Sequence, residues 1–235
     1  MEQKTGSITR EVLTYEHGQF LTRRRELVDE VSWRIFIDGR EAAKLSCSPW
    51  GLEEAAVGCL FTEGYIKTAS EIREVQLLKE SGIIAVETAE ADAEKILSGE
   101  PLSIMAEEIM SLAAALEDSS QLFHRTGGVH CAALASRHEL LVRREDVSRH
   151  AAVDKLAGAC LQQGIPMEDR ILVFSGRVPG EILHKAAAMG CSMVIARSAP
   201  TDHACRLAEQ EGIVLVGFAR EDGFNIYTHP ERVIR

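Results

Sequence analysis

The residues with the most chemical potential in this 235-residue chain lie at positions 125–134, with the sequence RTGGVHCAAL. Gly127 and Gly128 allow the backbone to adopt positive φ angles and to approach a ligand closely. His130 and Cys131 follow, so an imidazole and a thiol stand beside a backbone that can direct N–H groups at an anion. The alternative is a glycine turn that leads into a buried strand, with Cys131 as a small core residue. These residues alone leave both interpretations open.

A sheet that would position this stretch is predicted in the second half of the chain. Short apolar strands alternate there with segments of helical periodicity, which indicates a largely parallel sheet covered on both faces. Ligands of such sheets bind in the crevice at the carboxyl ends of the strands. The predicted strands are 171–174, 193–196 and 213–216, after a hairpin at 134–142, and the predicted helices are 106–116, 149–163, 179–189 and 200–210.

Each loop that follows one of these three strands carries an arginine. Guanidinium groups, hydroxyls and the free N–H groups of helix N-termini are the usual components of a phosphate site. Three such loops at one sheet edge, together with Thr126 and the two glycines, predict a site for a phosphate-bearing ligand. The sequence has no P-loop and no G-x-G-x-x-G after a strand, which argues against an ordinary NTPase or Rossmann dehydrogenase. The loop residues are Ser175 and Arg177, Arg197 and Ser198, and Arg220.

A second polar cluster occupies residues 146–155. Asp146 is predicted to cap the following helix, on which His150 and Asp154 stand four residues apart and therefore on one face. In that arrangement the carboxylate would orient the imidazole. The alternative is a charged, solvated helix start with Lys155 in a local ion pair.

The first 90 or so residues are predicted to be a β-rich unit with one helix. Residues 33–40 alternate apolar and polar side chains and end in Asp-Gly, which predicts a strand and a turn, with 42–47 as the return strand. Ser48 and Pro49 are predicted to start a helix, and Cys59 lies on its apolar stripe as a core residue. Further strands are predicted at 72–78 and 83–86.

Residues 88–103 are predicted to be a linker. Alanine, glutamate and aspartate dominate this segment, and Gly99 and Pro101 follow near its end. The domain boundary is therefore placed here, with an N-terminal domain at 1–100 and a second domain at 101–235.

Composition narrows the classes of function. The formal net charge of −10 argues against nonspecific nucleic-acid binding, which needs a cationic surface. No apolar run approaches the roughly 18 residues that cross a bilayer, and the first residues lack the apolar core of a signal peptide. We therefore expect a cytoplasmic protein whose partners include neither nucleic acid nor a membrane. The six cysteines include no C-x-x-C pair, so we expect free thiols and no structural metal.

Several motifs, in order and over nearly the whole chain, resemble those of the FdhD family of formate dehydrogenase accessory sulfurtransferases. They include segments from both halves of the sequence. The motifs are 52–64 (LEEAAVGCLFTEG), 125–130 (RTGGVH), 145–156 (EDVSRHAAVDKL), 175–177 (SGR), 197–201 (RSAPT) and 216–220 (VGFAR).

This resemblance implies an α/β fold and a function. The fold would be a small N-terminal α+β domain followed by a cytidine-deaminase-like, three-layer α/β domain with a mostly parallel sheet, in a cytoplasmic homodimer. Family members take persulfide sulfur from a cysteine desulfurase and pass it to the molybdenum cofactor, in its bis-guanine-dinucleotide form, of formate dehydrogenase. Such a dinucleotide is the bound substrate and offers several phosphates to the arginines.

The expected cofactor-binding residues combine the loops found above with a segment that the resemblance singles out. Residues 218–223 are, by resemblance, the best candidate for cofactor contact. The full set is Thr126, Gly127, Gly128, His130, Ser175, Arg177, Arg197, Ser198, Phe218, Ala219, Arg220, Glu221, Asp222 and Gly223.

The chain departs from the family in its cysteines. Family members carry persulfide on a C-G-x-C-G loop, expected here between the first domain and the helix at 106. Residues 80–124 contain no cysteine, so no catalytic residue carries over. Cys131, where members more often have alanine, is proposed as a substitute thiol.

Three functions compete at this point. In sulfur transfer, a thiolate accepts sulfane sulfur while the cationic crevice holds the cofactor, with molybdenum or tungsten as the metal. The alternative is a non-catalytic cofactor-binding chaperone. Zinc deaminase chemistry, which the implied fold suggests, needs a His/Cys-x-Glu segment and a Pro-Cys-x-x-Cys segment that the sequence lacks.

Overall fold

The computed structural model describes residues 6–90 and 102–235, and its first part consists of β-strands, one α-helix and a short 3₁₀ helix at Ala69–Glu71. In chain order its elements are β1 (Ser7–Glu16), β2 (Gln19–Val28), β3 (Val31–Ile37), β4 (Arg40–Cys47), α1 (Leu52–Thr62), β5 (Ile72–Leu78) and β6 (Ile83–Thr88). Strands β3 to β6 form a sheet in the order β4-β3-β6-β5, antiparallel except for the β3–β6 pair. Strands β1 and β2 form a separate antiparallel ribbon.

The core of this first part lies between the four-stranded sheet and α1. Ile35 of β3, Ile84 of β6 and Leu60 of α1 are fully buried in it. Burying a side chain of this size contributes about 1.5–3 kcal/mol. The predicted strand, turn and return strand are confirmed, because β3 and β4 pair antiparallel and Gly39 has a φ of 78° in the turn.

The second part of the chain alternates strands and helices. Its elements are β7 (Ile104–Met105), α2 (Ala106–Ser119), α3 (Gln121–Thr126), β8 (His130–Ala135), β9 (Leu140–Asp146), α4 (Arg149–Gln163), β10 (Ile171–Phe174), α5 (Gly180–Ala188), β11 (Met193–Ala196), α6 (Asp202–Gln210), β12 (Val214–Arg220), β13 (Gly223–Ile226) and β14 (Val233–Ile234).

A six-stranded sheet in the order β13-β12-β11-β10-β8-β9 is the centre of the second part. The pairs β10–β11 and β11–β12 are parallel, whereas the β10–β8 pair and the two hairpin pairs, β8–β9 and β12–β13, are antiparallel. Strands β9 to β12 therefore point in one direction. The predicted α/β class with parallel strands is confirmed, and the hairpins make the sheet mixed.

Helices cover both faces of this sheet and give three layers. Leu172 and Phe174 of β10 pack with α4, α5 and α6 on one face, whereas Ile171 and Val173 pack with α2 on the other. All four side chains are fully buried. A strand buried on both faces has to be a continuous apolar run, which is the pattern that predicted it.

Helices α1 and α4 cross at two glycines. A methyl group on Gly58 would lie 1.8 Å from the carbonyl oxygen of Asp154, and one on Gly158 would lie 1.9 Å from that of Glu54. Only glycine allows two helix backbones to approach this closely. Because α4 also packs on β8 and β9, the crossing holds the first part of the chain against the main sheet.

A buried ion pair between β9 and α4 also contacts the first part of the chain. The Nζ of Lys155 lies 2.5 Å from Oδ2 of Asp146 and 3.2 Å from the carbonyl oxygen of Ser48, and both charged side chains are fully buried. The Lys155 ammonium also lies 5.0 Å from the centroid of the Trp50 ring. Removing one member of such a pair typically costs about 3–5 kcal/mol, because the other charge is left uncompensated. The local ion pair predicted for Lys155 exists, but it is buried and not solvated.

The start of α1 differs from the sequence prediction. The helix begins at Leu52 with Gly51, at a φ of 59°, as its N-cap, and no side chain caps it. The Ser48 hydroxyl does not cap α1, because it accepts a hydrogen bond from the N–H of Val147, in the second part of the chain, at 3.0 Å. The predicted Ser-Pro helix start is therefore wrong. The core position predicted for Cys59 is confirmed, since this residue is buried.

The start of α4 also differs. Ser148 is its N-cap, and the Ser148 hydroxyl accepts the N–H of Ala151 at 3.4 Å. The prediction that Asp146 caps this helix is wrong. Asp146 instead positions the capping residue, because its Oδ1 accepts the N–H of Ser148 at 2.8 Å.

The predicted pairing of His150 with Asp154 is wrong as well. Asp154 is buried between α1, α4 and α5, where it accepts from Nζ of Lys185 at 2.8 Å and from the hydroxyl of Thr62 at 2.9 Å. His150 lies 3.3 Å from Glu181 instead. The spacing of four residues places the two side chains on one face of α4. They do not pair with each other, because each contacts a residue of a neighbouring helix instead.

The linker prediction and the domain boundary cannot be read directly from the fold. Of the predicted linker 88–103, residues 91–101 lie outside the described residues, and the boundary at residue 100 falls among them, so it stays a prediction. Across the described ranges, no helix is long and apolar enough to cross a membrane.

We expect Gly158→Ala to destabilise the protein by at least about 3 kcal/mol, the upper end of the usual cost of overpacking, because a backbone and not a side chain obstructs the methyl group. Urea unfolding of the wild type and the variant measures this loss. Gly164→Ala is the control, since nothing lies within 4 Å of its Cβ position and its φ of 64° should cost only about 1–2 kcal/mol. Equal losses in the two variants would contradict a close helix crossing.

Candidate ligand-binding cleft

A cleft of about 510 Å³ opens at the edge of the main sheet where β10, β11 and β12 end and β8 begins. This volume lies in the usual range for small-molecule sites. The carboxyl edge of the sheet is also where the sequence placed the site. The lining residues are Leu116, Glu117, Ser120, Phe123, Gly127, Gly128, Val129, His130, Cys131, Ser175, Arg197, Ser198 and Arg220.

The glycine stretch forms one wall and follows a helix that the sequence analysis did not predict. Helix α3 ends at Gly127, whose φ of 66° is the left-handed conformation of a helix C-cap. The Thr126 hydroxyl donates to the carbonyl oxygen of Leu122 at 2.7 Å and accepts the N–H of Gly128 at 3.2 Å. Thr126 therefore shapes the turn and does not line the cleft, whereas both glycines do.

Ser175 fastens the loop after β10 to the first residues of β8. Its hydroxyl accepts the N–H of Cys131 at 2.9 Å, and its own N–H donates to the carbonyl oxygen of Cys131 at 3.0 Å. A Cβ on Gly176 would lie 3.0 Å from Nδ1 of His130, so the chain passes close to the imidazole here. Ser175 thus sets the floor of the cleft, and His130 stands beside it.

The thiol of Cys131 lies in the cleft wall but is only 1% exposed. Burial raises its pKa, and the nearby Ser120 hydroxyl and Arg143 guanidinium oppose that shift only in part. The raised pKa keeps the group a thiol near neutral pH, whereas the thiolate is the nucleophile. Burial raises the pKa of the other five cysteines too, to about 12 for Cys47, Cys59 and Cys160.

Two arginines line the opposite wall. Arg197, after β11, lies 2.5 Å from a carboxylate oxygen of Glu117 on α2. Arg220, at the end of β12, donates from Nε to the carbonyl oxygen of Arg197 at 3.2 Å and is otherwise exposed. Glu117 therefore competes with any anionic ligand for the Arg197 guanidinium.

The segment 218–223 turns from β12 into β13 at the rim of the cleft. Phe218 has a φ of 54°, and its N–H donates to the carbonyl oxygen of Ser198 at 3.3 Å. A left-handed conformation at a non-glycine residue costs about 1–3 kcal/mol, and such strain concentrates at functional sites. The Phe218 ring is 41% exposed, whereas Ala219 is fully buried.

A group of four basic side chains adjoins the cleft at His130. Burial lowers the pKa of His130, and the nearby charges of Arg149, His150 and Arg177 lower it further. The imidazole is therefore neutral near neutral pH and can both donate and accept a hydrogen bond. The Nε of Arg149 is buried and has no hydrogen-bond partner among the described residues.

The structure brings together about half of the predicted site. The cleft lining contains Gly127, Gly128, His130, Cys131, Ser175, Arg197, Ser198 and Arg220. Outside that lining lie Thr126, Arg177, Phe218, Ala219, Glu221, Asp222 and Gly223. Glu117, Ser120 and Phe123 in the α2 and α3 wall were not predicted. For α2, a helix pattern identifies the buried stripe and not the residues at its edge, and α3 itself was not predicted.

Comparison with known proteins assigns the chain to a family. The model of the FdhD/NarQ family matches residues 28–99 and 91–234. The chain belongs to this family. The resemblance found in the sequence motifs is thereby confirmed.

Relatives within the FdhD/NarQ family are similar over their full length. The sulfur carrier protein FdhD of Bacillus pumilus is 38% identical over 247 residues, covering 93% of this chain and 94% of that protein. The sulfur carrier protein FdhD of Geobacillus kaustophilus is 36% identical, with 96% of each chain covered. A crystal structure described as a formate dehydrogenase accessory protein from Desulfotalea psychrophila matches with a TM-score of 0.84 and 29% identity, covering 97% of this chain and 99% of that chain.

The FdhD/NarQ match is divided at one place. Its two segments meet at residues 91–99, inside the cysteine-free stretch 80–124 where the family's cysteine loop is expected. The alignment with the Bacillus licheniformis relative runs over 258 residues, more than the 235 of this chain, so that relative has residues without a counterpart here.

We expect Glu117→Gln to tighten the binding of inorganic pyrophosphate by up to about five-fold, because a partly exposed ion pair worth about 0.2–1 kcal/mol no longer has to be broken at Arg197. Isothermal titration at low ionic strength measures the change. Glu107→Gln removes the same charge from an exposed position on α2 and should leave the affinity unchanged. An equal gain in both variants would mean that only net charge matters.

Proposed function

We propose that this member of the FdhD/NarQ family is a formate dehydrogenase accessory protein that binds the bis-guanine-dinucleotide form of the molybdenum cofactor in the cleft. The observation that carries the proposal is the convergence of Arg197, Arg220, Ser175 and a glycine turn on one cleft at the carboxyl edge of the sheet. Guanidinium groups, hydroxyls and open backbone N–H groups are what phosphates require.

The residues around the cleft fit the parts of such a ligand. Arg197 and Arg220 would hold phosphate oxygens, and neutral His130 would bond the ligand without adding charge. The exposed ring of Phe218 offers a face on which a guanine base would stack, a contact worth about 1–3 kcal/mol per base in nucleic-acid complexes. The cofactor supplies the metal and its sulfur ligands, so the chain itself needs only to bind and orient it.

The burial and raised pKa values of the cysteines favour a protein that binds the cofactor but does not carry sulfur. All six cysteines have raised pKa values, and five are buried. A persulfide carrier needs a thiolate that a cysteine desulfurase can reach. The protein would then deliver or protect the cofactor for its client, a formate dehydrogenase.

Sulfur carriage on Cys131 is the second candidate function. Cys131 lines the same cleft, with the Ser120 hydroxyl and the Arg143 guanidinium close to its thiol. A ligand or partner that opened the wall would expose it, and the positive charge of Arg143 would then favour the thiolate. This version requires a cysteine desulfurase as a further partner.

A homodimer in the cytoplasm completes the proposal. Leu13, Tyr15 and Phe20 are 70%, 64% and 68% exposed and lie on one face of the β1–β2 ribbon, where the Tyr15 and Phe20 rings pack at 5.2 Å. An isolated two-stranded ribbon is marginally stable in water, so a second copy that covered this face would stabilise it.

We expect guanosine diphosphate to bind and Arg220→Ala to weaken its binding about ten-fold, as loss of a charge-assisted hydrogen bond predicts. Fluorescence or calorimetric titration measures the affinity. Arg137→Ala, in the β8–β9 turn at the other end of the sheet, is the control and should bind normally. Failure of the wild type to bind this nucleotide would overturn the proposal.

Incubation with a cysteine desulfurase and labelled cysteine, followed by mass spectrometry, separates the two versions. Cofactor binding alone predicts no persulfide on any peptide and normal activation of formate dehydrogenase by Cys131→Ala. Label on Cys131, with activation lost in that variant, would establish sulfur carriage instead. Label confined to Cys160 or Cys205 would exclude Cys131 as the carrier.

A further inference from the structure

The β1–β2 ribbon runs from the side of the cleft out to an exposed tip. Its cross-strand pairs extend without a register shift from Ser7 and Val28 at one end, the ribbon base, to Glu16 and Gln19 at the other end, the ribbon tip. Strands of this length span roughly 30 Å. Every residue of the two strands is at least partly exposed, so the ribbon takes its position from contacts at its base.

An ion pair joins the ribbon base to α3. Oε2 of Glu26 on β2 lies 3.3 Å from Nε of Arg125 on α3. The Ser7 hydroxyl on β1 donates to the same carboxylate oxygen at 2.7 Å, so both strands of the ribbon hold the Glu26 side chain. Arg125 directly precedes the Thr-Gly-Gly turn of the cleft. The ion pair therefore acts on the end of α3 that leads into the cleft.

Apolar contacts join the ribbon base to the same wall. The Cβ position of Gly128 lies 3.0 Å from Cγ2 of Val28, so the valine packs directly on the glycine turn. At Gly6, where the chain enters the ribbon, the Cβ position lies 3.3 Å from Cδ2 of Leu122. Leu122 is the buried residue of α3. The ribbon base thus contacts α3 at Leu122 and at Arg125, and the turn at Gly128.

The wall that these contacts support is short. We call α3 together with residues 127–129 the α3 wall; Phe123, Gly127, Gly128 and Val129 of this wall line the cleft. Helix α3 has six residues, and helices shorter than about 12 residues are marginal in water without tertiary packing. The strand that α3 packs against is β2. The position of the α3 wall therefore depends on the ribbon.

We propose that the ribbon base holds the α3 wall in the position in which the cleft binds its ligand, with Glu26 and Val28 as positioning residues. Both lie outside the cleft lining and act through Arg125 and Gly128. The proposal rests on the proposed function, because it concerns the ligand affinity of the same cleft. When a binding-competent conformation is populated for a smaller fraction of the time, the apparent affinity falls by that fraction.

Titration with guanosine diphosphate tests the effect on affinity. Glu26→Gln should weaken binding by up to about five-fold, the range that a partly exposed ion pair allows. The matched control is Glu16→Gln, which removes the same charge at the ribbon tip, where Glu16 lies 3.0 Å from Arg23, and should bind normally. Loss of a negative charge by itself favours an anion, so unchanged or tighter binding in Glu26→Gln would overturn the inference.

A second pair of variants tests the apolar contact without changing charge. Val28→Ala removes packing on the glycine turn and should weaken nucleotide binding by a similar factor. Val12→Ala removes the same atoms further along the ribbon, on its opposite face, and should leave binding unchanged. Equal affinities of Val28→Ala and Val12→Ala would contradict a positioning role for Val28.

Amide hydrogen exchange of the ligand-free protein tests the wall itself. Exchange at residues 122–129 should be faster in Glu26→Gln and Val28→Ala than in the wild type, and unchanged in Glu16→Gln and Val12→Ala, with similar thermal unfolding midpoints in all. Exchange that is unchanged at the wall, or faster throughout the chain, would overturn the inference whether or not the nucleotide binds. If the wild type fails to bind guanosine diphosphate, the proposed function falls, and faster exchange confined to the wall still supports its positioning by the ribbon.

Discussion

The contact between α1 and α4 determines how the rest of the molecule is arranged. Gly58 and Gly158 bring the two helix backbones within a distance that no side chain allows, and α4 lies directly on β8 and β9. That contact presses Ser48 against Asp146 and buries Lys155 with them. Since Asp146 in turn holds the residue that caps α4, the close crossing also fixes the direction in which the first turn of α4, and hence its basic residues, faces the sheet edge. A substitution that altered the α1–α4 crossing would therefore also shift the first turn of α4 beside the cleft.

The cleft also depends on the direction of β8, which pairs antiparallel with both β10 and β9. If β8 were parallel to β10, His130 and the glycine turn would lie at the opposite edge from the arginine loops. Its reversed direction brings the start of one strand to the ends of the others, so a turn, an imidazole and three loops meet although they are far apart in sequence. The hydrogen bonds between Ser175 and the backbone of Cys131 fix the loop after β10 to the start of β8. Cys131 therefore has a structural role through its backbone, independent of its thiol.

Secondary structure was predicted correctly where the residue pattern is compatible with only one kind of element. Continuous apolar runs identified β10, β11 and β12 because a strand buried on both faces has no polar position. Helix-start predictions failed at Ser48 and Asp146, because local capping patterns cannot reveal that each is the other's partner from nearly a hundred residues away. About half of the predicted site residues line the cleft, because strand ends and glycines are visible in sequence. The α2 wall was not predicted, since a helix pattern identifies the buried stripe and not the residues at its edge.

Phosphate binding and sulfur carriage require different chemical groups, and the described residues provide those for phosphate binding more fully than those for sulfur carriage. Phosphate binding needs positive charge and open N–H groups at a fixed edge, and the motifs that supply them are present in the family's order. Sulfur carriage needs an accessible thiolate, which the low dielectric of a core opposes, and burial raises the pKa of every cysteine that the chain has. The division of the family match at residues 91–99 falls where the carrier loop is expected. The glycine turn and the arginines of the sheet edge lie outside residues 91–99, so the chain retains the groups that can hold phosphate whether or not it carries such a loop.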